Sequence, residues 1–213
     1  MPQAKGGKAA IEWRRIAPIR SRGAYSRFML DHLVRHIETG FALVAQWDGY
    51  VLDGSRWLDD FMEYDYIGAP WPQFSNGGTV GNGGFSLRSK RLLEACRGLP
   101  MKDGEAEDVV ICRNARPALE GSHGLRFAPE SVARRFAYER TAKQGDEFGF
   151  HGVFNMVKGM CPSEFAALLA TLEPSVLGRR ELGEVLRGGV RNRHLPTIFH
   201  GLRHKFARSG RVG

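Results

Sequence analysis

The sequence lacks the features that mark several large classes of protein. It has only three cysteines and no C-x-x-C pair, which indicates neither a disulfide framework nor a zinc cluster and favours a reducing compartment. The N-terminal stretch MPQAKGGKAA has no apolar core of a signal peptide. No apolar run approaches the ~20 residues that span a bilayer. We therefore expect a cytoplasmic protein that can associate with a membrane surface.

Negative charge is scarce at both ends of the chain. The 213 residues carry a net charge of +8, of which residues 1–22 hold +5 and residues 175–213 hold +7, so the body between them holds −4. Basic ends can meet the phosphates of anionic lipid or nucleic acid, although a solvated and loosely ordered terminus is the simpler interpretation. Residues beyond about 190 lack a wide apolar face, and we expect them to pack little.

The apolar pattern alternates between strands and helices, which indicates an α/β fold. The run FALVA, residues 41–45, suits a strand in a parallel sheet covered on both faces, so Leu43 and Val44 should both be buried. Further strands are expected in DYIGAPW and FSLR. Helices are expected at 24–39, in SKRLLEACRGL, at 106–120, and near 163–172 and 180–187.

A single carboxylate follows the first of these strands, in QWDGYV. Ligands of open α/β sheets bind beyond the carboxyl ends of the strands. Asp48 could there hold a divalent cation, and the cation could hold a phosphate. The alternative is an Asp-Gly turn with no part in binding.

The loop VGNGGFSLRS is rich in glycine. Its glycines allow the backbone to approach a ligand closely or to adopt positive φ, and Asn82 could bond sugar hydroxyls or cap the loop. The alternative is a strained hairpin. No Gly-Lys-Ser/Thr follows, so this is not a phosphate-binding P-loop.

Two more segments carry groups that can act in catalysis or in metal binding. EAEDVVI puts Glu107 and Asp108 at a helix start, where the helix dipole favours the ionised carboxylate that a general base needs. One of the carboxylates could instead cap the helix. His151, in FGFHG, becomes a candidate metal ligand if Asp48 lies nearby, but a lone histidine is more often structural.

Six segments stand out when they are taken together: YSRFMLDHLVRHIETGFALVAQWDGYVLD, WLDDFMEYDYIGAPW, VGNGGFSLRSKRLLE, EDVVIC, RFAPESVARRFAYE and FGFHG. In this combination, over roughly residues 11–155, the chain resembles an uncharacterised bacterial and fungal family of glycosyltransferase-like domains found in cell-surface sugar contexts. The order of parts is also similar to that of GT-A nucleotide-sugar glycosyltransferases of the galactosyltransferase kind. The resemblance implies a GT-A-like (Rossmann-like) mixed sheet with flanking helices.

The resemblance also implies roles for individual residues. Asp48 and His151 match the two metal ligands, which implies Mn²⁺ or Mg²⁺ as cofactor. Glu107 and Asp108 match the pair that grips the acceptor and acts as base. The residues implied in substrate binding are Gln46, Trp71, Asn82, Gly83 and Gly84. Gln46 stands where the better-known enzymes have the first Asp of an Asp-x-Asp motif.

We therefore expect a hexosyltransferase-type glycosyltransferase that moves a sugar from a nucleotide-sugar to a hydroxyl of a glycan or lipid-linked acceptor. The expected organisation is a basic segment 1–22, a GT-A-like domain 23–160 and a helical, basic extension 161–213. The basic tail could meet an anionic membrane, and no specific nucleic acid is expected.

A departure from the GT-A pattern leaves an alternative open. Before the Tyr25 helix the sequence has room for at most one strand, EWRRIAPI, so we expect the chain to lack the opening βαβ unit that holds the nucleotide base, as a fragment or a degenerate member would. The alternative is a truncated domain that binds glycans or partners without catalysis.

Overall fold

The structure, a computed structural model, describes residues 11–75, 77–173 and 176–209, with side chains as far as Phe206. The first ten residues of the expected basic N-terminal segment lie outside this range. Residues 11–20 form neither helix nor strand, so EWRRIAPI is not a strand.

The strands of the described residues form two small three-stranded sheets. The strands are β1 (Phe41–Ala45), β2 (Gly49–Val51), β3 (Tyr66–Gly68), β4 (Phe85–Ser89), β5 (Ala137–Tyr138) and β6 (Gly149–His151). The first sheet has the order β1-β4-β3 and is antiparallel; the second has the order β2-β6-β5, with β5 and β6 parallel and β2 antiparallel to β6. The fold is therefore mixed α/β.

Helices flank both sheets. They are α1 (Arg22–Asp31), α2 (Lys90–Ala95), α3 (Glu107–Val109), α4 (Arg116–His123), α5 (Glu130–Phe136), α6 (Val153–Gly159), α7 (Pro162–Thr171), α8 (Arg179–Arg191) and α9 (Leu195–Ser209). Hydroxyl caps begin two of them, since Ser21 Oγ accepts from Ala24 N and Ser89 Oγ accepts from Leu92 N.

The helix expected at 106–120 is interrupted. It consists of α3, a π turn at Val110–Asn114 and α4. Pro117 in the first turn of α4 suits a new helix start, because proline supplies no N–H there and its fixed φ is already helical. The break leaves Glu107 and Asp108 in a short turn of helix.

The expectation of a central strand in a parallel sheet is wrong for FALVA. β1 pairs antiparallel with β4 and lies at the edge of its sheet. Leu43 is 42 % exposed and Val44 is only partly buried. The interior strand is β4, whose five residues are all buried.

The expectation that residues beyond 190 pack little is also wrong. α9 lies against α7 and α8, and its residues Thr197, Gly201 and His204 are buried. The helices approach each other closely at glycines, since a Cβ on Gly201 would overlap Leu186 and a Cβ on Gly189 would lie tightly against Ile198. In addition, His204 Nε2 lies 3.0 Å from the carbonyl oxygen of Leu169.

The C-terminal helices share a hydrophobic cluster with the second sheet. Tyr138 and Phe150 of that sheet pack with Leu177, Leu182 and Val185. Within the described part of the chain, no helix combines the length and the apolar composition needed to cross a membrane.

Candidate functional site

The register of the second sheet brings three ionisable side chains to one edge. Gly49 is opposite His151 in the β2–β6 pair, and Tyr138 is opposite Phe150 in the β5–β6 pair. Asp48 directly precedes β2, and Glu139 directly follows β5. Asp48, Glu139 and His151 therefore meet although Asp48 and His151 are 103 positions apart in the sequence.

Successive side chains of a strand point to opposite faces of its sheet, so one face of the second sheet packs on the hydrophobic cluster and the other faces the cleft. Phe150 and Tyr138 belong to the cluster beneath the C-terminal helices. Their successors His151 and Glu139 point to the other side and line a cleft of about 490 Å³.

The glycine-rich loop closes over this edge. Asn82 has a positive φ of 65°, a conformation that asparagine tolerates better than most residues, and its Nδ2 lies 3.2 Å from His151 Nδ1. A Cβ on Gly84 would overlap the His151 imidazole, and a Cβ on Gly83 would overlap the Glu107 carboxylate. Both glycines are thus needed so that the loop can touch these side chains.

His151 lies between two carboxylates. Its Nε2 is 3.1 Å from Asp48 Oδ1, and its Nδ1 is 3.6 Å from Glu139 Oε1. Burial opposes the charged imidazole, but the carboxylates of Asp48 and Glu139 outweigh it and raise the pKa of His151 to about 9. A pKa in this range favours the imidazolium at neutral pH when no metal is bound.

Asp48 and His151 also fit a divalent cation. The buried His151 Nε2 has no partner in hydrogen-bond geometry although Asp48 Oδ1 is 3.1 Å away. Two neighbouring ligands of one ion, each at about 2.0–2.2 Å, lie roughly 3 Å apart. The described residues contain no group of three or more His, Cys, Asp or Glu side chains placed to hold a metal, so an ion here would need further ligands from water or substrate phosphates, as Mg²⁺ commonly has.

A buried ion pair supports the loop from beneath. Arg88, fully buried in β4, donates from Nη2 to Glu107 Oε1 at 3.0 Å and to the carbonyl oxygen of Gly83 at 3.3 Å. Its Nε donates to Ser86 Oγ at 3.0 Å, and its guanidinium carbon lies 5.4 Å from the centre of the Tyr66 ring. The carboxylate of Glu107 therefore fixes the position of Arg88, and through Arg88 it fixes the loop at Gly83.

Asp108 takes a different direction from its neighbour. Its Oδ2 accepts from Gly83 N at 2.9 Å, and its Oδ1 accepts from Val109 N at 2.8 Å. The residue is only partly buried and lines the cleft. Each carboxylate oxygen has a second lone pair, so the group can still accept a proton or a hydrogen bond from a ligand.

Gln46 and Trp71 complete the set predicted from the sequence. Gln46 Nε2 donates to the hydroxyl of Tyr25 at 3.0 Å, and both residues line the cleft. Trp71 also lines it, with its ring against Gly81. The structure therefore brings Gln46, Trp71, Asn82, Gly83, Gly84, Glu107, Asp108 and His151 together on one cleft, with Asp48 in contact with His151.

Sequence reasoning missed three residues of this site. Glu139 had the same signal as Asp48, a carboxylate directly after a short apolar strand. Arg88 stood in the middle of an otherwise uncharged strand, where burial requires a partner of opposite charge. Tyr25 lay within the first helix and carried no signal of its own.

Comparison with known proteins gives one family and nothing more specific. No curated protein and no solved structure matches the chain. A family described as proteins of unknown function, DUF5672, matches residues 10–151, which is more than half of the chain and includes every cleft residue named above. The chain belongs to this family of proteins of unknown function.

Proposed function

We propose that this protein is a glycosyltransferase with a GT-A-like fold, which transfers a sugar from a nucleotide-sugar to an acceptor hydroxyl in the synthesis of a cell-surface glycan. One observation carries the proposal. The Asp48–His151 pair, the GNGG loop and Asp108 come from separate segments and meet at one cleft. Its volume of about 490 Å³ is in the range of sites for ligands of this size.

Asp108 is the proposed base. It lies at the start of α3, and the two backbone N–H groups that it accepts fix its orientation. It would take the proton from the acceptor hydroxyl as that oxygen attacks the sugar. A base placed on the acceptor side corresponds to an inverting reaction.

Glu107 is assigned to positioning. Its Oε1 accepts from Arg88, which also donates to the carbonyl oxygen of Gly83. This keeps the loop of Asn82, Gly83 and Gly84 against the cleft, where its polar groups would meet the donor sugar. Gln46 and Trp71 would provide a polar and an apolar contact to the substrates.

Asp48 and His151 would hold the divalent cation, Mn²⁺ or Mg²⁺. When bound, the cation would neutralise negative charge on the leaving diphosphate. His151 is charged in the metal-free site and would have to lose its proton to become a ligand. Glu139, 3.6 Å from the other ring nitrogen, would orient the imidazole, as carboxylates commonly do beside metal-bound histidines.

The test is a screen of nucleotide-sugars with Mn²⁺ or Mg²⁺, read as a thermal shift and as release of nucleoside diphosphate. We expect a shift with one donor class and release that depends on the cation. Asp108→Asn should retain the shift and lose about a hundredfold or more in turnover. Asp60→Asn, an exposed carboxylate outside the cleft, is the matched control.

Three results would contradict the proposal or a part of it. Unchanged turnover in Asp108→Asn would show that Asp108 is not the base. A product with retained anomeric configuration would show that the reaction is not inverting. The absence of a thermal shift with every nucleotide-sugar would show that the protein does not use this class of donor.

The second candidate is a non-catalytic domain that binds a glycan or a partner. It is favoured by the internal hydrogen bonds of both acidic residues, since Glu107 bonds Arg88 and Asp108 bonds Gly83 and Val109. A glycan-induced thermal shift without turnover under any donor and cation would select this candidate.

A further inference from the structure

In α9 the buried face consists mainly of small and polar residues, and most of the large apolar side chains are on the exposed face. The face of α9 that packs on α7 and α8 carries Thr197, Gly201 and His204. Of its large apolar side chains, Ile198 lies against Gly189 of α8, and the others are exposed to solvent. They are Leu195, Phe199, Leu202 and Phe206, exposed by 76 %, 66 %, 36 % and 68 %.

These four side chains form one stripe, which we call the α9 stripe. Their spacing of four, three and four residues keeps them within a narrow sector of a helix with 3.6 residues per turn. The same geometry places the stripe opposite the buried face that contains Gly201 and His204. The stripe is therefore a continuous apolar surface with no partner within the described part of the chain.

The residues of α9 and of the turn before it that flank the stripe are basic or neutral. Arg203 and Lys205, both exposed, lie on its two sides by helix geometry. The turn before α9 adds Arg193, which is also exposed. In the sequence, seven Lys and Arg residues and no Asp or Glu follow Glu184. The partner must therefore accept apolar side chains and carry negative charge beside them.

We propose that α9 docks the protein on the surface of an anionic lipid bilayer. The helix would lie in the plane of the membrane, with the α9 stripe in the acyl boundary and the basic side chains at the headgroups. α9 has 15 residues and charged flanks, so this is attachment to one leaflet. The inference does not depend on sugar transfer, because α9 lies outside both the cleft and the family match at residues 10–151.

Two other occupants fit the charge pattern less well. A second copy of the chain on the same stripe would bring two basic surfaces together, which like-charge repulsion opposes. A nucleic acid would satisfy the basic residues but leave the two exposed phenylalanines without an apolar environment. An anionic bilayer satisfies both at once.

The test is sedimentation of the full chain with vesicles. We expect binding to vesicles of phosphatidylcholine mixed with phosphatidylglycerol, and little binding to vesicles of phosphatidylcholine alone. Phe199→Ser with Phe206→Ser should reduce the affinity roughly tenfold for each phenylalanine lost from the apolar phase. Arg193→Gln with Lys205→Gln should reduce it about fivefold for each charge, and added salt should have a similar effect on the original chain.

Matched controls separate the stripe from general hydrophobicity and general charge. Met62→Ser removes an exposed apolar side chain elsewhere, and Arg126→Gln with Arg135→Gln removes two exposed charges from the body. Neither should change vesicle binding by more than about twofold. All of these side chains are exposed, so thermal unfolding should remain close to that of the original chain.

Three outcomes would overturn the proposal. One is equal binding to neutral and anionic vesicles, and another is binding that the paired phenylalanine variant leaves intact. The third is a dimer in solution that becomes a monomer in that variant without any vesicle binding by either form, which would assign the stripe to a second copy.

Discussion

Two clusters of charge lie at the candidate site, and they differ in their access to solvent. Arg88 and Glu107 are almost wholly inaccessible, and the guanidinium also bonds Gly83 and Ser86. His151, with Asp48 and Glu139 beside it, keeps some access to solvent. One buried nitrogen in each cluster, His151 Nε2 and Arg88 Nη1, has no partner in hydrogen-bond geometry.

This difference separates a structural role from a chemical one. A buried ion pair is costly to assemble and more costly to break, because the remaining charge cannot recover its hydration. The Arg88–Glu107 pair therefore fixes the loop at Gly83. The cluster around His151 has weaker constraints and can exchange a proton or a ligand, which is what a binding site requires.

The largest effect is expected from breaking the buried pair. Glu107→Gln should lower the free energy of unfolding by about 3 kcal/mol or more, since it leaves Arg88 buried without a counter-charge. Urea unfolding followed by circular dichroism measures the loss. Glu94→Gln, on the exposed side of α2, should change it by less than about 0.5 kcal/mol.

A double variant sharpens this result. Arg88→Met with Glu107→Leu removes both charges, so it should recover part of the stability lost by Glu107→Gln. Equal stability of Glu107→Gln and the original chain would show that the pair does not fix the loop.

The strand positions could be predicted from the sequence, but the strand partners could not. FALVA is a strand because its residues are apolar and lie between a helix and a turn. An apolar run carries no information about which strand lies beside it, so β1 was expected inside a parallel sheet and lies at an antiparallel edge. The packing of α9 was not predicted because its inner face consists mainly of small and polar residues, among them Gly201 and His204.

The residues that line the candidate site were easier to predict from the sequence than the buried residues that hold its loop in place. Asp48, Asn82, Asp108 and His151 lie in short motifs with turn or helix-start character, and such motifs sit at the ends of strands. Arg88 could not be identified as a support, because its partner Glu107 is nineteen positions away. Only the folded loop makes the pairing evident.

An intermediate effect is expected from pH acting on His151. Its pKa is raised from 6.5 to about 9 in the folded protein, so its charged form stabilises the fold. This contribution is complete below about pH 6.5, falls as the pH rises towards 9, and is then absent. In a chelator, His151→Gln should cost on the order of 2 to 3 kcal/mol at about pH 6 and little at about pH 10.

Urea unfolding at both pH values measures this change, and the difference between variant and original chain cancels the other groups that titrate. His123→Gln, at an exposed helix end, is the control and should show no such dependence. A loss of equal size at both pH values would mean that His151 stabilises the fold by packing alone.

The smallest change in stability is expected from Asp48→Asn, which keeps the size and shape of the side chain. At about pH 6 the variant removes one of the two carboxylates beside the charged imidazole and should cost about 1 kcal/mol. At about pH 10 the imidazole is neutral and the cost should vanish.

The same variant should have a large effect on metal binding. The original chain should show a thermal shift with Mn²⁺ and Asp48→Asn should not, because an amide oxygen is a weaker ligand than a carboxylate. Asp60→Asn should keep both the stability and the shift. A Mn²⁺ shift that survives in Asp48→Asn would place the metal elsewhere and leave the Asp48–His151 contact as a simple ion pair, no different in kind from Arg88–Glu107.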